Sequence, residues 1–323
     1  MGSSAAVSTE YAGFAKYPNQ SQDFTTLRRN TMKLKSLALF LGLAVLVSMP
    51  LSAQTNYTFQ TADFPHDTFT QLLSINIFGK IAGYHGATVN RGFTLVQPKD
   101  FMNENYPNSA MTQVIGINKK GKTVGFYVDN ANVTHGFILG LPDTFTNVDF
   151  PGTPFNQLLG VNDMGQAAGY YSLSANNSTP DHPYIYLEFG GVFEEITIPG
   201  AVGGAQATGI NNLQEVSGFY IDSANTNHGF ELIGGNLFTL DVPNSTFTQA
   251  LGLNNKGQVV GVYTDQSGNQ HGFVHSKGTF QTIDDPNGSG TMTVVNGIND
   301  KGQLVGFYMD AKGNTNGFVA TPQ

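Results

Sequence analysis

A chain of 323 residues with no cysteine can bury a sizeable core, but it has neither disulfides nor thiolate-bound metals to hold that core together. Only 12% of its residues are charged while 39 are glycine, a balance that suits short strands and tight turns and disfavours long solvent-facing helices. Beyond Ala53 the chain keeps ten basic and twenty-one acidic residues, a net −11, which argues against nucleic-acid and anionic-lipid partners because both depend on basic patches.

In chain order, residues 1–31 are polar and unpatterned, and translation is expected to start at Met32. Residues 32–53, MKLKSLALFLGLAVLVSMPLSA, place Lys33 and Lys35 ahead of an apolar run and end on the small residues Ser52 and Ala53, the pattern of a secretory signal peptide. The run is short for a membrane span and is broken by Pro50, so no span is expected after signal removal. A second reading takes Arg28-Arg29 with Lys33 as a twin-arginine export signal, although Thr31 stands where that pattern wants a bulky apolar residue. No cysteine follows the cleavage site, so the mature chain is expected to be free in the periplasm or outside the cell.

From Tyr57 onward the sequence repeats. The asparagine of a S-I-N, G-I-N, G-V-N or G-L-N triplet falls at Asn76, Asn118, Asn162, Asn211, Asn254 and Asn299, at separations of 42, 44, 49, 43 and 45 residues. Seven residues after each comes a glycine: Gly83, Gly125, Gly169, Gly218, Gly261 and Gly306. That fixed interval predicts a strand a, a tight turn and a strand b, with the asparagine opening the turn and a left-handed glycine closing it, as in NNKG at Asn254 to Gly257. A polar loop leads to strand c, which begins near Gly136, Gly229 and Gly272. A fourth run d ends at a proline, as in Phe145 to Pro151 and Phe280 to Pro286, and the proline is expected to end that outer strand.

Strand b is apolar on successive positions, QVVGVY and QLVGFY, so both of its faces are expected to be buried. Four-stranded units of about 40 to 45 residues, packed on both sides, point to an all-β propeller. The chain opens on a lone d strand and ends after a, b and c of the sixth copy. The expectation is therefore a six-bladed ring of four-stranded blades spanning residues 54–323 as a single domain, closed by the N-terminal strand completing the last blade. A monomer is expected.

The elements G-I-N, G-Q-V-V-G and H-G-F, read over residues 57–323, resemble the HAF-family extracellular repeat, with glycine where that family often has alanine. The resemblance implies an exported bacterial repeat protein and carries over no catalytic residues.

Candidate binding residues follow from face assignment. The d-to-a and b-to-c loops share one face of the ring and vary most, and variable loops on a rigid scaffold are where binding sites develop. Gln71, Gln113, Gln157, Gln206 and Gln249 stand five residues before their asparagines, placing them at the channel mouth on that face. They either ring a ligand or tie neighbouring blades, the commoner role of a buried amide. His135, His182, His228 and His271 precede strand c, one per unit, too sparse to share a metal. Tyr127, Tyr171, Tyr220, Tyr263 and Tyr308 end strand b, with Asp129, Asp222, Asp265 and Asp310 just after four of them. The loops lack the spacing of a calcium loop, so calcium is kept only as a lesser alternative and no cofactor is assigned. No HExxH, GxSxG or phosphate-cradling loop is present. The one pair of catalytic candidates is His66 with Asp67, in a loop that departs from the repeat. The expected function is an extracellular binding or scaffolding module for a polysaccharide, peptide or protein. A lactonase- or lyase-type propeller enzyme and a structural cell-surface protein stand as alternatives.

Overall fold

The computed structural model describes residues 54–323 apart from Leu141 and Asp143; residues 1–31 with the Arg28-Arg29 pair and the expected signal peptide of residues 32–53 lie outside the described residues. Among the described residues every regular element is a strand, and no helix is long and apolar enough to cross a membrane.

After β1 (Tyr57–Thr61) come β2 (Thr70–Ile75), β3 (Lys80–His85), β4 (Arg91–Val96) and β5 (Asp100–Asn103), a first antiparallel meander. The second is β6 (Met111–Ile117), β7 (Thr123–Val128), β8 (Thr134–Gly140) and β9 (Thr144–Asn147), and the third β10 (Phe155–Val161), β11 (Gln166–Ser172), β12 (His182–Leu187) and β13 (Val192–Glu195). The fourth is β14 (Gly204–Ile210), β15 (Val216–Ile221), β16 (Asn227–Ile233) and β17 (Asn236–Leu240), and the fifth β18 (Phe247–Leu253), β19 (Val259–Thr264), β20 (Gln270–Ser276) and β21 (Thr279–Ile283). Last are β22 (Thr293–Ile298), β23 (Leu304–Met309) and β24 (Thr315–Pro322), and β1 pairs with β24 from Tyr57↔Pro322 to Thr61↔Phe318.

The fold is an all-β propeller, with one correction to the expected six separate sheets. Main-chain pairing separates four blades of four strands and leaves the other eight strands in a single sheet, β6 to β13. The fusion is one residue wide, a parallel bridge Phe155↔Thr134 between β10 and β8. Like bridges at Phe69↔Thr315, Asp181↔Gly204 and Gln270↔Met292 fall outside the strands. No continuous main-chain ladder therefore runs around the ring, and adjacent sheets meet through single bridges, side-chain packing and side-chain hydrogen bonds.

Local chemistry explains the repeat. In each a-to-b turn the asparagine Oδ1 accepts two main-chain N–H groups; for Asn254 these come from Lys256 at 3.0 Å and Gln258 at 3.1 Å, an Asx turn that fixes the hairpin. Strand a then carries a β-bulge, as between Ala250 and Gly252, which pushes the carbonyl of Gln249 towards strand b. Only glycine fits opposite, and a Cβ on Gly261 would also lie 2.8 Å from the Phe273 ring. The triplet glycines answer a second close approach: a Cβ on Gly160 would meet the Gly209 Cα at 2.8 Å, and one on Gly297 the Ser74 Cα at 2.9 Å. Inner strands of neighbouring units thus touch backbone to backbone about the axis. Strand b is buried on both faces as the sequence predicts, for example at the successive residues Val259 and Val260 of β19 and Leu304 and Val305 of β23, each 0% exposed.

The proline expectation is corrected. Strands d stop three or four residues short, β9 at Asn147 and β21 at Ile283, and each proline sits second in a β-turn after the strand. Asp67 N–H donates to Phe64 O at 3.2 Å and Ser109 N–H to Tyr106 O at 3.2 Å, and the third turn position has positive φ at His66 (63°), Asn108 (59°), Gly152 (78°) and Asn244 (63°). These are type II turns, which favour proline second and a left-handed residue third.

Candidate functional site: an amide-ringed axial cavity

The bulged inner strands enclose a cavity of about 410 Å³ on the axis, within the size range of small-molecule sites. Three layers line it. Gln71, Gln113, Gln157, Gln206 and Gln249 form the mouth. Leu73, Ile115, Leu159, Thr208, Leu251 and Asn296 form the wall. At the waist stand Ile75, Ile117, Val161, Ile210, Leu253 and Ile298. Strand periodicity sets the spacing, and the bulge turns the wall residues inward. All five sequence-predicted glutamines are therefore brought together, and the cavity lining contains no carboxylate, histidine, lysine or arginine.

Each glutamine commits one end of its amide to protein. Tyr84 and Tyr170 donate to the Oε1 of Gln71 and Gln157 in their own units, at 2.7 and 3.0 Å. In the units with Phe126, Phe219 and Val262 at that strand-b position no hydroxyl is available. There the Nε2 groups of Gln113, Gln206 and Gln249 donate to the preceding unit, to Asn90 at 2.7 Å, Asp181 at 2.6 Å and Asn227 at 3.0 Å. Three of the five tie neighbouring units and two do not. Burial pushes the Tyr84 phenol up to about 12, so it remains a neutral donor. Sequence reading missed Tyr84, Tyr170 and Asp181. The signal for the tyrosines was the residue after each strand-b glycine, where Tyr alternates with Phe or Val.

Beyond the waist a second cavity of about 230 Å³ opens on the turn face. Here each triplet asparagine, between 3% and 6% exposed, donates through Nδ2 to the main-chain carbonyl of the next one. Asn76 reaches Asn118 at 3.1 Å, Asn118 reaches Asn162 at 3.1 Å, Asn162 reaches Asn211 at 3.0 Å, Asn211 reaches Asn254 at 3.1 Å, Asn254 reaches Asn299 at 3.0 Å, and Asn299 reaches Asn76 at 3.0 Å. The set is cyclic.

The His66–Asp67 pairing is not what forms. His66 is exposed and serves as the left-handed turn residue described above, while Asp67 meets His85 Nδ1 at 2.8 Å and accepts the Phe69 N–H at 3.0 Å. His85 stacks on Phe64 with centroids 3.5 Å apart. The repeated His, Tyr and Asp candidates do converge in three of the six units, around His135, His228 and His271. His228 Nδ1 meets Asp241 at 2.8 Å and its Nε2 lies 3.4 Å from Asp222, and its ring stacks on Tyr220 at 5.1 Å. His271 repeats this with Asp284, Asp265 and Tyr263, and His135 with Asp149, Asp129 and Tyr127. His182 stacks on Tyr171. Among the described residues no group of three or more His, Asp or Glu is arranged to hold a metal ion.

These clusters make stability depend on pH. Burial alone would lower the His228 and His271 pKa, but the hydrogen bonds to Asp241 and Asp284 outweigh it and raise both. A raised histidine stabilises the fold fully below its unfolded value, about 6.5, and that contribution is lost as pH climbs through the folded value. Asp222, Asp265 and Asp310 are lowered, first by main-chain donors, so their contribution is present above about 4 and lost as pH falls. Burial raises Asp63, Asp181 and Asp285, which also favours the acid side. The melting temperature is expected to peak near pH 5 and decline towards pH 8, with H228Q and H271Q reducing the decline. A flat profile from pH 5 to 8 would refute this.

Acidic residues dominate the loop face, where strand ends carry Asp63, Asp67, Asp129, Asp149, Asp181, Asp222, Asp241, Asp265, Asp284 and Asp310 against Arg91 and Lys312. The opposite turns are mixed, with Lys99, Lys119, Lys120, Lys256, Lys277 and Lys301 beside Asp100, Asp163, Glu188, Glu215 and Asp300.

No family model matches the chain, and no curated protein matches it. Solved structures do. A gluconolactonase from Xanthomonas campestris aligns at TM-score 0.55 and 9% identity over 84% of this chain and 92% of its own. TolB from Acinetobacter baumannii aligns at TM-score 0.52 and 11% identity over 78% of this chain, which spans 63% of that one. A fungal lectin from Aleuria aurantia, described as a six-bladed propeller with a fucose recognition mode, aligns at TM-score 0.50 and 10% identity over 78% and 93%. At such identities the likeness establishes the class, a β-propeller, and that class hosts unrelated activities.

Proposed function

We propose that the chain is an exported six-bladed propeller, the β6 to β13 sheet counting as two blades, that acts as a binding or scaffolding module for an extracellular polysaccharide, peptide or protein. It is proposed to belong with the HAF-type repeats it resembles and to be secreted or periplasmic. The observation that carries the reading is the axial cavity, whose mouth presents five half-committed amides above a wall of four aliphatic residues with Thr208 and Asn296. An acid–base or metal-assisted lactonase mechanism needs ionisable or ligating groups at the reacting centre, and that cavity lining offers Tyr84 alone among titratable side chains. Fold likeness to a gluconolactonase is the support the enzyme alternative has.

Glycan and peptide arrays probed with the chain from Gln54 onward test the proposal, alongside Leu251→Trp, which fills the cavity from its wall. Binding lost by about tenfold or more in a folded variant, at least 1.4 kcal/mol, is the expected result. Discrete turnover of a small lactone by the purified chain would overturn it.

A further inference from the structure

We infer that the axial cavity receives the uncharged, hydroxyl-bearing end of a neutral polysaccharide, in preference to a peptide or an acidic glycan. This rests on the reading that the cavity is the binding site.

The first argument is shape. The cavity opens at the glutamine mouth and runs along the axis to a waist of six aliphatic side chains, which it shares with the second cavity inside the asparagine circle. An occupant entering from the loop face therefore arrives by a chain end. The two kinds of polymer end differ in charge. A free polypeptide terminus carries an ammonium or a carboxylate at neutral pH, and burying either without a partner is far more costly than burying a hydroxyl that can find a hydrogen bond. No lining side chain offers a counter-charge. The terminal residue of a neutral glycan carries hydroxyls only.

The second argument is the pattern of uncommitted amide ends. Where a tyrosine donates within the unit, Nε2 is left over, at Gln71 and Gln157; where phenylalanine or valine replaces it, Oε1 is left over, at Gln113, Gln206 and Gln249. Free donors and acceptors thus alternate from Gln71 to Gln206, a second acceptor follows at Gln249, and the sixth unit contributes Val294 with neither. A hydroxyl both donates and accepts, so a vicinal diol meets either kind of neighbour. A carboxylate only accepts and would face the three Oε1 groups unfavourably, and an ammonium only donates and would face the two Nε2 groups. Below the mouth, Leu73, Ile115, Leu159 and Leu251 suit the C–H face of a sugar ring.

The third argument is long-range. The loop face carries aspartates at most strand ends and few cations, so an approaching uronate or sulfate is repelled before it reaches the mouth.

The test is titration, by ligand-observed NMR and calorimetry, of five probes: cello- and manno-oligosaccharides as neutral ends, oligogalacturonate as an anionic end, chitosan oligomers as a cationic end, and a random peptide pool with free termini. Leu251→Trp and, from a different strand, Ser74→Phe serve as blocked cavities, each checked for a native melting transition so that loss of binding is not loss of fold. The expected result is binding of at least one neutral series, weakened about tenfold or more by either block and changed less than about twofold by raising salt to 0.5 M. Binding of the uronate, chitosan or peptide probe instead, with the same sensitivity to the blocks, would overturn the inference and leave the cavity as the binding site. Binding of any probe that ignores both blocks, or no binding at millimolar concentration, would overturn the inference and the underlying reading together.

Discussion

Replacing Gly261 with alanine is expected to destabilise the protein by more than about 3 kcal/mol, beyond the usual range for overpacking a core. The reason lies in what the new methyl group would meet. It would sit well inside 3.0 Å of the Gln249 carbonyl oxygen and 2.8 Å from the Phe273 ring, and the first of these is main chain held by the bulge between Ala250 and Gly252. Main chain in a two-sided sheet has no rotamer to change, so relief requires opening the β18–β19 pairing or lifting Phe273, which is 0% exposed. Gly257→Ala, in the turn of the same unit, is the control. Its φ is +68° and nothing lies within 4 Å, so only the left-handed backbone penalty of about 1–2 kcal/mol applies. Urea unfolding midpoints of the two variants measure the difference. Equal losses at the two sites, or a loss under about 1 kcal/mol at Gly261, would contradict the bulge explanation.

The same two glycines mark how far the sequence could be read. The invariant step from asparagine to strand-b glycine is legible because backbone geometry admits few residues there, and it carries the class of fold and the boundaries of the units. The bulge that makes the glycine necessary was not legible. Leu73 and Ile115 are ordinary aliphatic residues, and the visible trace, the glycine of the G-I-N triplet, has its explanation in a neighbouring strand, as Gly160 does against Gly209. Separate sheets were over-read for a related reason. Whether one bridge, Phe155↔Thr134, falls inside strands or just beyond them depends on loop geometry and not on pattern.

For the candidate site, spacing placed the five glutamines at one mouth, since residues at a fixed offset on equivalent strands share a layer. What it could not give was the direction of each amide. That depends on a partner one strand or one unit away, Tyr84 for Gln71 but Asp181, in the long connection after Ser172, for Gln206. His66 misled because a loop that departs from the repeat was taken as a sign of chemistry. A left-handed turn residue points its side chain away from the next one, and Asp67 found His85 across the strand instead.

Asn254→Ala is expected to cost about 3–5 kcal/mol, a loss comparable to that at Gly261 although it creates only a small cavity. Asn254 is 3% exposed. Its Oδ1 accepts from Lys256 N–H and Gln258 N–H, and its Nδ2 donates to Gln258 Oε1 at 2.8 Å and to Asn299 O at 3.0 Å. Alanine leaves two main-chain donors and one carbonyl of the next unit to find other partners beside a narrow axial cavity, and unsatisfied buried groups cost about 1–3 kcal/mol each. Asn254→Asp separates the two jobs of the side chain. It keeps the acceptor that forms the turn but removes the donor and sets a carboxylate oxygen against the Asn299 carbonyl, so it is expected to fold while losing about as much stability as alanine. If the turn alone mattered, aspartate would be nearly neutral. Because each asparagine also receives a bond on its own carbonyl, Asn254 from Asn211 at 3.1 Å, neighbouring losses should not add. The Asn211 bond falls on the main-chain carbonyl of residue 254, which alanine keeps, so any coupling between Asn211→Ala and Asn254→Ala comes through the position of that carbonyl. Loss of the turn at 254 shifts it, and the second substitution should then cost less than it does alone. A double-mutant cycle by urea denaturation reads that coupling directly, and additivity within about 0.3 kcal/mol would mean that the circle is six independent turns and not a clasp that holds the blades about their axis.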